Sequence, residues 1–259
     1  MRFLLCFVFA RALYVACDKV QIISYSIPGE IAKAEQFPYQ VGFEYPGNNE
    51  TRFSGALVSP SHILTVADHI VRNKTLNVYL GAHRFHNFSE TGRVNRVVDT
   101  DKDVVIFPEY DAERALDNLA IVILQEAVKF SPTIQPVSLP MVRFNSEESY
   151  DNEVVWVSGW GEKPPLNKKR KTLHYLNVTV HPYQDCHVNN PIESVQLCLD
   201  TSSGRFICSG DAGAPIVLDR GDSRILVGLA NRPQRCISEE PQIALRISSY
   251  LDWITDNLL

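Results

Sequence analysis

The chain has 259 residues, of which 45% are hydrophobic and 21% charged, so it is an ordinary globular sequence rather than a disordered or fibrous one. Its formal net charge of -5 argues against any general attraction to nucleic acids or to anionic membranes. The length suffices for one large all-β unit or for two smaller domains with cores of their own.

The first residues, MRFLLCFVFARALYVACDKV, predict a secretory signal peptide over residues 1–17. Arg2 supplies the positive end, Phe3 to Ala10 form a short apolar core, and cleavage is expected between Ala10 and Cys17. No later segment approaches the roughly 20 apolar residues of a membrane helix. We therefore expect a secreted, extracellular protein that makes no membrane contact.

The body of the chain consists of short apolar or alternating runs separated by Gly, Pro and Asn, such as NVYLGAH, NLAIVIL and RILVGLA. This pattern predicts many antiparallel strands in a sandwich or in barrels. At the end, SSYLDWITDNLL places Tyr250, Ile254 and Leu258 at helical spacing. We predict a single short helix there that starts at Ser249, three residues before Asp252.

Cysteines and histidines give few signs of a metal site. The cysteines beyond the signal peptide are an even set, which suits disulfides in an oxidising compartment, and their wide spacing without a CxxC pair argues against zinc. The segment HRFH, His83 to His86, could recruit a metal only if carboxylates converged on it. We expect no metal and no cofactor.

Four N-x-S/T sequons are present, and each one alone is a common chance match. Together, in a secreted chain, they predict at least one glycan. The candidate sites are Asn49, Asn73, Asn87 and Asn177.

Residues 207–218, ICSGDAGAPIVL, resemble the Gly-Asp-Ser-Gly-Gly-Pro signature of the chymotrypsin-like serine proteases. Six further segments are similar to the same family in the same order: FPYQVGF, SGALVSPSHILTVADH, DNLAIVIL, IQPVSLP, WVSGWG and RISSYLDWI. The resemblance covers residues 26–259. It implies an all-β fold of two packed antiparallel β-barrels, about residues 37–135 and 150–245, with a short C-terminal α-helix and a site in the cleft between the barrels.

In that family a serine attacks the substrate carbonyl, a histidine takes its proton and an aspartate orients the histidine. Counted without gaps from Phe53, the resemblance places Asp68 at the histidine position, Asn118 at the aspartate position and Ala212 at the serine position. His69 is one residue later, and a one-residue insertion could bring it into the histidine position. In the extended chain we expect here, neighbouring side chains face opposite ways, so His69 could replace the base only with a local rearrangement. The three substitutions predict that the protein is not a peptidase.

The resemblance also implies a filled specificity pocket, with Phe206 at its floor and Pro233 and Gln242 at two wall positions that are glycine in the family. The family's activation segment reads Ser26 to Gly29 here and follows a tyrosine rather than a basic residue. Asp211, which pairs with the new amino terminus in the family, is therefore expected to be solvated or hydrogen-bonded to backbone.

The cysteines follow the family as well. The resemblance pairs Cys186 with Cys198 and Cys208 with Cys236, both in the second barrel. The bridge beside the catalytic histidine is absent, because its two positions read Phe53 and His69.

The resemblance therefore predicts a secreted serine protease homologue without activity, which binds an extracellular protein, either a protease or a protease inhibitor, as a decoy, cofactor or inhibitor in a protease cascade. One alternative is a residual hydrolase that uses His69 and an unrecognised nucleophile. Another is an adhesive or antimicrobial protein that uses a basic loop, whose contact with anionic glycans would be weak, although such a run is more often solvated. The basic residues are Lys168, Lys169, Arg170 and Lys171.

Overall fold

The structure, a computed structural model, describes residues 29–141, 149–163, 168–182, 186, 194–200, 202, 207–231 and 241–258, without the side chains of residues 49–51 and 163. The predicted signal peptide and three of the other predicted site residues lie outside the described residues. These three are Phe206, Pro233 and Cys236.

The described residues form strands along their whole length and one short helix at the end. The strands are β1 (Glu30–Ile31), β2 (Gln40–Tyr45), β3 (Asn48–Leu57), β4 (His62–Thr65), β5 (Thr75–Leu80), β6 (Val94–Asp99), β7 (Val104–Ile106), β8 (Ala120–Ile123), β9 (Val154–Gly159), β10 (Glu162–Lys163), β11 (Lys168–Lys169), β12 (His174–His181), β13 (Gln196–Leu199), β14 (Pro215–Asp219), β15 (Arg224–Ala230) and β16 (Gln242–Arg246). Turns of 3-10 helix cover Ala67–His69 and Ile247–Ser249, and helix α1 covers Leu251–Asn257.

These strands build two antiparallel sheets, one from each half of the chain. The first has the order β6-β5-β2-β3-β4-β8-β7. The second has the order β1-β12-β13-β16-β15-β14-β9, and β9 also pairs with β12, which closes six of its strands into a ring. The prediction of two antiparallel barrels is confirmed. Strand β1 pairs with β12, so the first described strand belongs to the sheet of the second barrel.

Each barrel has an apolar interior because its strands turn aliphatic and aromatic side chains inward. In the first barrel Val41 and Phe43 are fully buried, and the rings of Phe43 and Phe53 stack with centroids 4.8 Å apart. In the second, Val155 and Ile216 are fully buried on paired neighbouring strands, β9 and β14. Burying such side chains contributes roughly 1.5–3 kcal/mol each, and fixes the strands that carry the site.

Polar contacts join the two barrels at their junction. The Ser158 hydroxyl donates to Oε1 of Gln40 at 2.6 Å, and both side chains are buried. The backbone N–H of Ser54 in β3 donates to the carbonyl of Ala212, just before β14, at 2.7 Å. The junction therefore sets the position of the segment that carries Ala212.

The C-terminal helix is confirmed, but its predicted start is wrong. Helix α1 begins at Leu251 after Tyr250, which makes no side-chain cap hydrogen bond. Ser249 belongs to the preceding 3-10 turn, and its hydroxyl donates to the carbonyl of Ser194 instead of capping the helix. Among the helices of the described segments, none is both long and apolar enough to cross a membrane.

Candidate active site

The segment that carries Ala212 is a tight turn between the second barrel's Cys208 and strand β14. The N–H of Asp211 donates to the carbonyl of Cys208 at 3.0 Å, and the N–H of Ala214 donates to that of Asp211 at 2.9 Å. Gly213 has a φ of 72°, and a Cβ there would lie 2.2 Å from the carbonyl oxygen of Ser54, so only glycine fits. The turn is thus pressed against the first barrel.

Ala212 itself is 1% exposed, with its methyl group at the junction of the barrels. Its carbonyl accepts the N–H of Ser54. The carbonyl of Ser54 in turn accepts a hydrogen bond from the buried hydroxyl of Thr65 at 2.7 Å. Thr65 ends strand β4, three residues before Asp68. This chain of bonds ties the predicted serine position to the element that carries the predicted histidine position.

Asn118 contacts the element that carries Asp68 and also the second barrel, and both its amide oxygen and its amide nitrogen form hydrogen bonds. Its side chain is fully buried; Oδ1 accepts the backbone N–H of Asp68 at 2.8 Å, and Nδ2 donates to Oδ1 of Asn231 at 2.8 Å. Asn231 in turn donates to the carbonyl of Ala115 at 2.9 Å. Asn118 therefore acts as a neutral bridge between the barrels, and its side-chain oxygen is occupied by the Asp68 backbone.

The conformation at Asp68 and His69 differs from the extended chain that we predicted. Residues Ala67–His69 form a turn of 3-10 helix, because the N–H of Ile70 donates back to the carbonyl of Ala67 at 2.9 Å. The two side chains therefore lie side by side, and Nδ1 of His69 contacts Oδ1 of Asp68 at 2.8 Å. The expectation that they face opposite ways is wrong, because the alternation of an extended strand does not apply within a tight turn.

Asp68 is the more sheltered member of this pair, with 7% of its side chain exposed against 29% for His69. The Tyr45 hydroxyl donates to the carbonyl of His69 at 3.0 Å and accepts the N–H of Val71 at 2.7 Å, which fixes the end of the turn. Burial raises the pKa of Tyr45, so this hydroxyl keeps its proton at neutral pH. The His69 imidazole is thus oriented by a carboxylate, but it lies one residue after the predicted histidine position, which Asp68 occupies.

The two positions at which the resemblance predicts a missing bridge do meet in space. The rings of Phe53 and His69 lie 5.4 Å apart, and Phe53 is 1% exposed. The Tyr45 ring also packs near Phe53, with centroids 6.4 Å apart. Aromatic packing therefore occupies the place that the resemblance assigns to a disulfide.

Asp211 is buried in the second barrel and is bonded to backbone, one of the two arrangements we expected. Its Oδ1 accepts the N–H of Gly161 at 2.7 Å, and Oδ2 faces the N–H of Cys208 at 3.4 Å. A Cβ on Gly161 would lie 2.1 Å from Oδ2, which explains the second glycine of WVSGWG. Burial raises the pKa of Asp211 to about 6, although the bond from Gly161 and the charge of Arg170 lower it.

Gln242 is the one predicted pocket residue that the structure describes. It begins β16, and its amide clamps the backbone of Ile207: Oε1 accepts the N–H and Nε2 donates to the carbonyl, each at 2.7 Å. The side chain therefore closes against the segment next to Phe206. The filling of the pocket by Phe206 and Pro233 stays a prediction, because both lie outside the described residues.

The predicted disulfide between Cys186 and Cys198 is confirmed, with Cα atoms 6.1 Å apart. Cys208 is also disulfide-bonded, and its predicted partner, Cys236, lies outside the described residues. Cys198 and Cys208 both belong to the second barrel.

The candidate glycosylation sites differ in their surroundings. Asn73 and Asn87 are exposed in turns, and Asn177 lies half-buried within β12 opposite Trp156. The Asn49 side chain is outside the described part of the chain. Glycosylation stays a prediction.

The histidines of HRFH bind protein groups. His83 Nε2 lies 2.8 Å from the carbonyl of Ala32, and His86 Nε2 lies 3.0 Å from Oε1 of Glu44. Glu90, the nearest carboxylate in sequence, accepts the N–H groups of His83 and Arg84. The described residues contain no group of three or more His, Cys, Asp or Glu that could hold a metal ion.

The basic run is not the free loop that we predicted. Lys168 and Lys169 form β11, paired with β10, because the chain doubles back after WVSGWGEK. Arg170 is half-buried with its charge near Asp211, and the Lys169 side chain lies beside Gly210. Lys168 and Lys171 remain exposed. Arg170 is thus withdrawn from the contact with glycans that we considered.

Two barrels of antiparallel strands, with a tight Gly-Asp-x-Gly turn at their junction, define the chymotrypsin-like class of folds. The Trypsin family model matches residues 26–254. A solved structure of a collagenase, HL collagenase, superposes with a TM-score of 0.74 at 27% identity, and the match covers 90% of this chain and 98% of that one. The chain therefore belongs to the trypsin family.

Insect proteins are among its relatives. The chain is 26% identical over 231 residues to a chymotrypsin of Phaedon cochleariae, which covers 88% of this chain and 80% of that protein. It is 28% identical over 238 residues to a venom serine protease of Polistes dominula, which covers 88% and 83%. The predicted family is confirmed.

The sequence analysis did not identify three residues outside the family motifs that contact the site residues. Asn231, in GLANRP, follows β15 directly and is the partner of Asn118, and Tyr45 ends β2. Arg170 supplies a positive charge near Asp211. A polar residue immediately after an apolar strand was the available signal for Asn231, whereas nothing in the local pattern separates Arg170 from the lysines beside it.

Proposed function

We propose that this protein is a secreted serine protease homologue without peptidase activity, which acts by binding an extracellular protease or protease inhibitor as a decoy, cofactor or inhibitor in a protease cascade. The observation that carries the proposal is the identity of the three residues at the junction of the barrels. They are Asp68, Asn118 and Ala212.

The chemistry of these residues supports the proposal. A methyl group offers no lone pair to a carbonyl carbon, and loss of the serine alone lowers turnover about 10⁶-fold in the worked protease case. Asn118 is neutral, so it offers no negative charge that would stabilise an imidazolium. Asp68 cannot replace the imidazole base of the family, because carboxylates are in general far weaker bases than imidazole and are poor acceptors for a serine proton.

The scaffold around these residues is ordered by buried contacts. The turn at Gly213, the buried Asp211 and the bonds of Ser54 and Thr65 hold the two barrels together at their junction. A family fold that keeps this junction while its reacting groups are replaced is suited to binding without turnover. The resemblance to a venom serine protease and the predicted signal peptide support secretion.

The residual hydrolase remains the second candidate, because His69 does have a carboxylate partner in Asp68. That hydrogen bond orients the imidazole and leaves Nε2 for a nucleophile. Among the described residues, no serine, threonine or cysteine side chain forms a hydrogen bond with His69, so the non-enzymatic proposal is the better supported.

The test uses the full-length protein purified from the medium of eukaryotic cells that express it. We expect affinity capture from the native extracellular fluid, followed by mass spectrometry, to recover a protease or a protease inhibitor. The same bait, reduced and unfolded, is the control for non-specific capture. Recovery of neither class, or cleavage of the captured partner by the bait, would contradict the proposal.

A further inference from the structure

Asn87 and Phe88 lie side by side in an exposed turn between β5 and β6. We propose that Asn87 carries an N-linked glycan and that the first N-acetylglucosamine of this glycan packs against the ring of Phe88. The sequence offers four candidate sites without ranking them, and the surroundings of this one set it apart. The inference goes beyond the proposed function: it needs the secretion which that function includes, but not the absence of peptidase activity.

The turn holds the Asn87 amide with its nitrogen accessible. The N–H of Glu90 donates to the carbonyl of Asn87 at 3.3 Å, which closes the turn, and the N–H of Ser89 donates to Oδ1 of Asn87 at 3.3 Å. A bond of this kind, from the backbone two residues on to an Asn side chain, defines an Asx-turn. Among the described residues no group hydrogen-bonds to Nδ2 of Asn87, so this nitrogen is available to form a bond with a sugar.

The modification transfers a sugar chain from a lipid-diphosphate donor of the secretory pathway. The bond between C1 of the first sugar and the diphosphate oxygen breaks, and a bond between C1 and Nδ2 of Asn87 forms. Nδ2 loses one proton and the lipid diphosphate leaves, so neither an oxidant nor a reductant is needed. Ser89 completes the N-x-S/T acceptor sequence, with Phe88 at its middle position.

Phe88 presents an exposed aromatic ring directly beside this amide. The residue is 57% exposed, and removing apolar surface of this kind from water is favourable, so a group that covers the ring stabilises the protein. N-acetylglucosamine offers the C–H groups of its ring and its acetamide methyl for such a contact. Because consecutive Cα atoms are only about 3.8 Å apart, a sugar on Asn87 lies within reach of the Phe88 ring.

The Phe88 ring is held in position by its neighbours in the first barrel. The buried Tyr79 packs edge-on against it, with ring centroids 5.8 Å apart, and the Arg93 guanidinium lies 4.6 Å from its centroid. Arg93 is itself fixed, because its Nη1 donates to the carbonyl of Phe85 at 2.8 Å. A ring that is already supported in this way loses little conformational entropy when a sugar packs against it.

The other described sequons lack this combination of an accessible amide and an adjacent exposed ring. Asn177 is half-buried within β12, opposite Trp156. Asn73 is exposed in a turn, but the residue at the middle position of its sequon is Lys74, a charged side chain in place of a ring. A glycan on Asn73 therefore serves as a control for the effect of a sugar without the aromatic contact.

The experiment uses the full chain, secreted by eukaryotic cells that make only oligomannose glycans, and measures the occupancy of Asn87 by mass spectrometry of glycopeptides. Ser89→Ala removes the sequon but keeps the Asx-turn, which uses the backbone of Ser89. Ser89→Thr keeps both the sequon and the turn. The matched control is Thr75→Val, which removes the Asn73 sequon at another exposed position.

We expect Asn87 to be occupied in the wild type and Ser89→Ala to lower the melting temperature by about 2 °C or more. Ser89→Thr and Thr75→Val should each shift it by less than about 1 °C. In a Phe88→Ala background the effect of Ser89→Ala should disappear, because the sugar then has no ring to cover. Trimming of the wild type by an endoglycosidase that leaves only the first N-acetylglucosamine should keep the melting temperature.

The results that would overturn the inference are distinct from those that bear on the proposed function. A secreted protein in which Asn87 is unmodified would overturn it. So would an effect of Ser89→Ala that is equally large in the Phe88→Ala background, or no larger than that of Thr75→Val. Retention of the protein in the cytosol would overturn both this inference and the proposed secretion, whereas peptidase activity with the glycan in place would overturn the proposed function alone.

Discussion

The side-chain oxygen of Asn118 accepts the backbone N–H of Asp68 at 2.8 Å, so the residue at the predicted aspartate position binds the main chain at the predicted histidine position. The same amide donates to Asn231 across the junction of the barrels. The side chain at the predicted aspartate position therefore joins the two barrels instead of orienting a catalytic imidazole. Its contribution to the free energy of unfolding can be measured.

Asn118→Ala should lower the free energy of unfolding by about 1–3 kcal/mol, because it leaves the Asp68 N–H and the Asn231 amide without their buried partner. Chemical denaturation gives the value. Gln135→Ala, which removes an exposed amide bonded to a loop carbonyl, is the control and should change stability by less than about 0.5 kcal/mol. Equal effects of the two substitutions would show that the bridge is unimportant.

Phe53→Ala should destabilise the fold by about 3–5 kcal/mol, since it removes a fully buried ring that packs against Phe43 and His69. Phe130→Ala removes a ring that is 46% exposed and should cost much less. Thermal melts of the two variants compare them directly. A small effect at Phe53 would mean that the junction does not depend on aromatic packing in place of the predicted disulfide.

The buried carboxyl of Asp211 should make stability depend on pH. Because its pKa in the folded protein, about 6, is above its ordinary value of 3.8, the stability it contributes is complete below about pH 4 and is lost as the pH rises through 6. The loss is about 3 kcal/mol for a shift of this size. Denaturation curves across this range, compared with those of Asp211→Asn, isolate the effect.

The Asp211→Asn variant should lack this decline, so the difference in free energy of unfolding between wild type and variant should shrink with rising pH. A constant difference would mean that folding leaves the pKa of Asp211 unchanged, and a wild type that gains stability relative to the variant as the pH rises would mean that folding lowers this pKa; either result would contradict the prediction. The charge of Arg170 lowers the pKa of Asp211 in the folded protein. Arg170→Leu removes that charge, so we expect a larger loss of stability between pH 4 and neutral pH in this variant than in the wild type.

The sequence carried the fold because its motifs are local: Gly213 and Gly161 are demanded by close approaches that any chain of this fold must make. The order of these motifs sufficed for two barrels and a helix. The sequence did not predict the geometry at Asp68 and His69. The turn there is closed by the Ile70 N–H, which donates to the carbonyl of Ala67, and no local pattern indicates that bond. The Phe53–His69 contact and the Asn118–Asn231 pair join residues distant in sequence, and only the closed fold brings them together.

Ala212→Ser alone should not create peptidase activity. The new hydroxyl would lack a base at Asp68 and a charged orienting group at Asn118, and triad residues contribute as a unit. Hydrolysis of trypsin-, chymotrypsin- and elastase-type substrates by this variant measures the effect. Substantial turnover would show that His69 can act as the base and that the assignment of positions is wrong.

The most direct test of the central claim is labelling of the purified, secreted wild-type protein with a fluorophosphonate probe, with hydrolysis of the same peptide substrates measured in parallel. An active member of the trypsin family serves as the positive control. The account predicts no labelling and no hydrolysis above background. Labelling at a defined serine, with hydrolysis that His69→Ala abolishes, would contradict it.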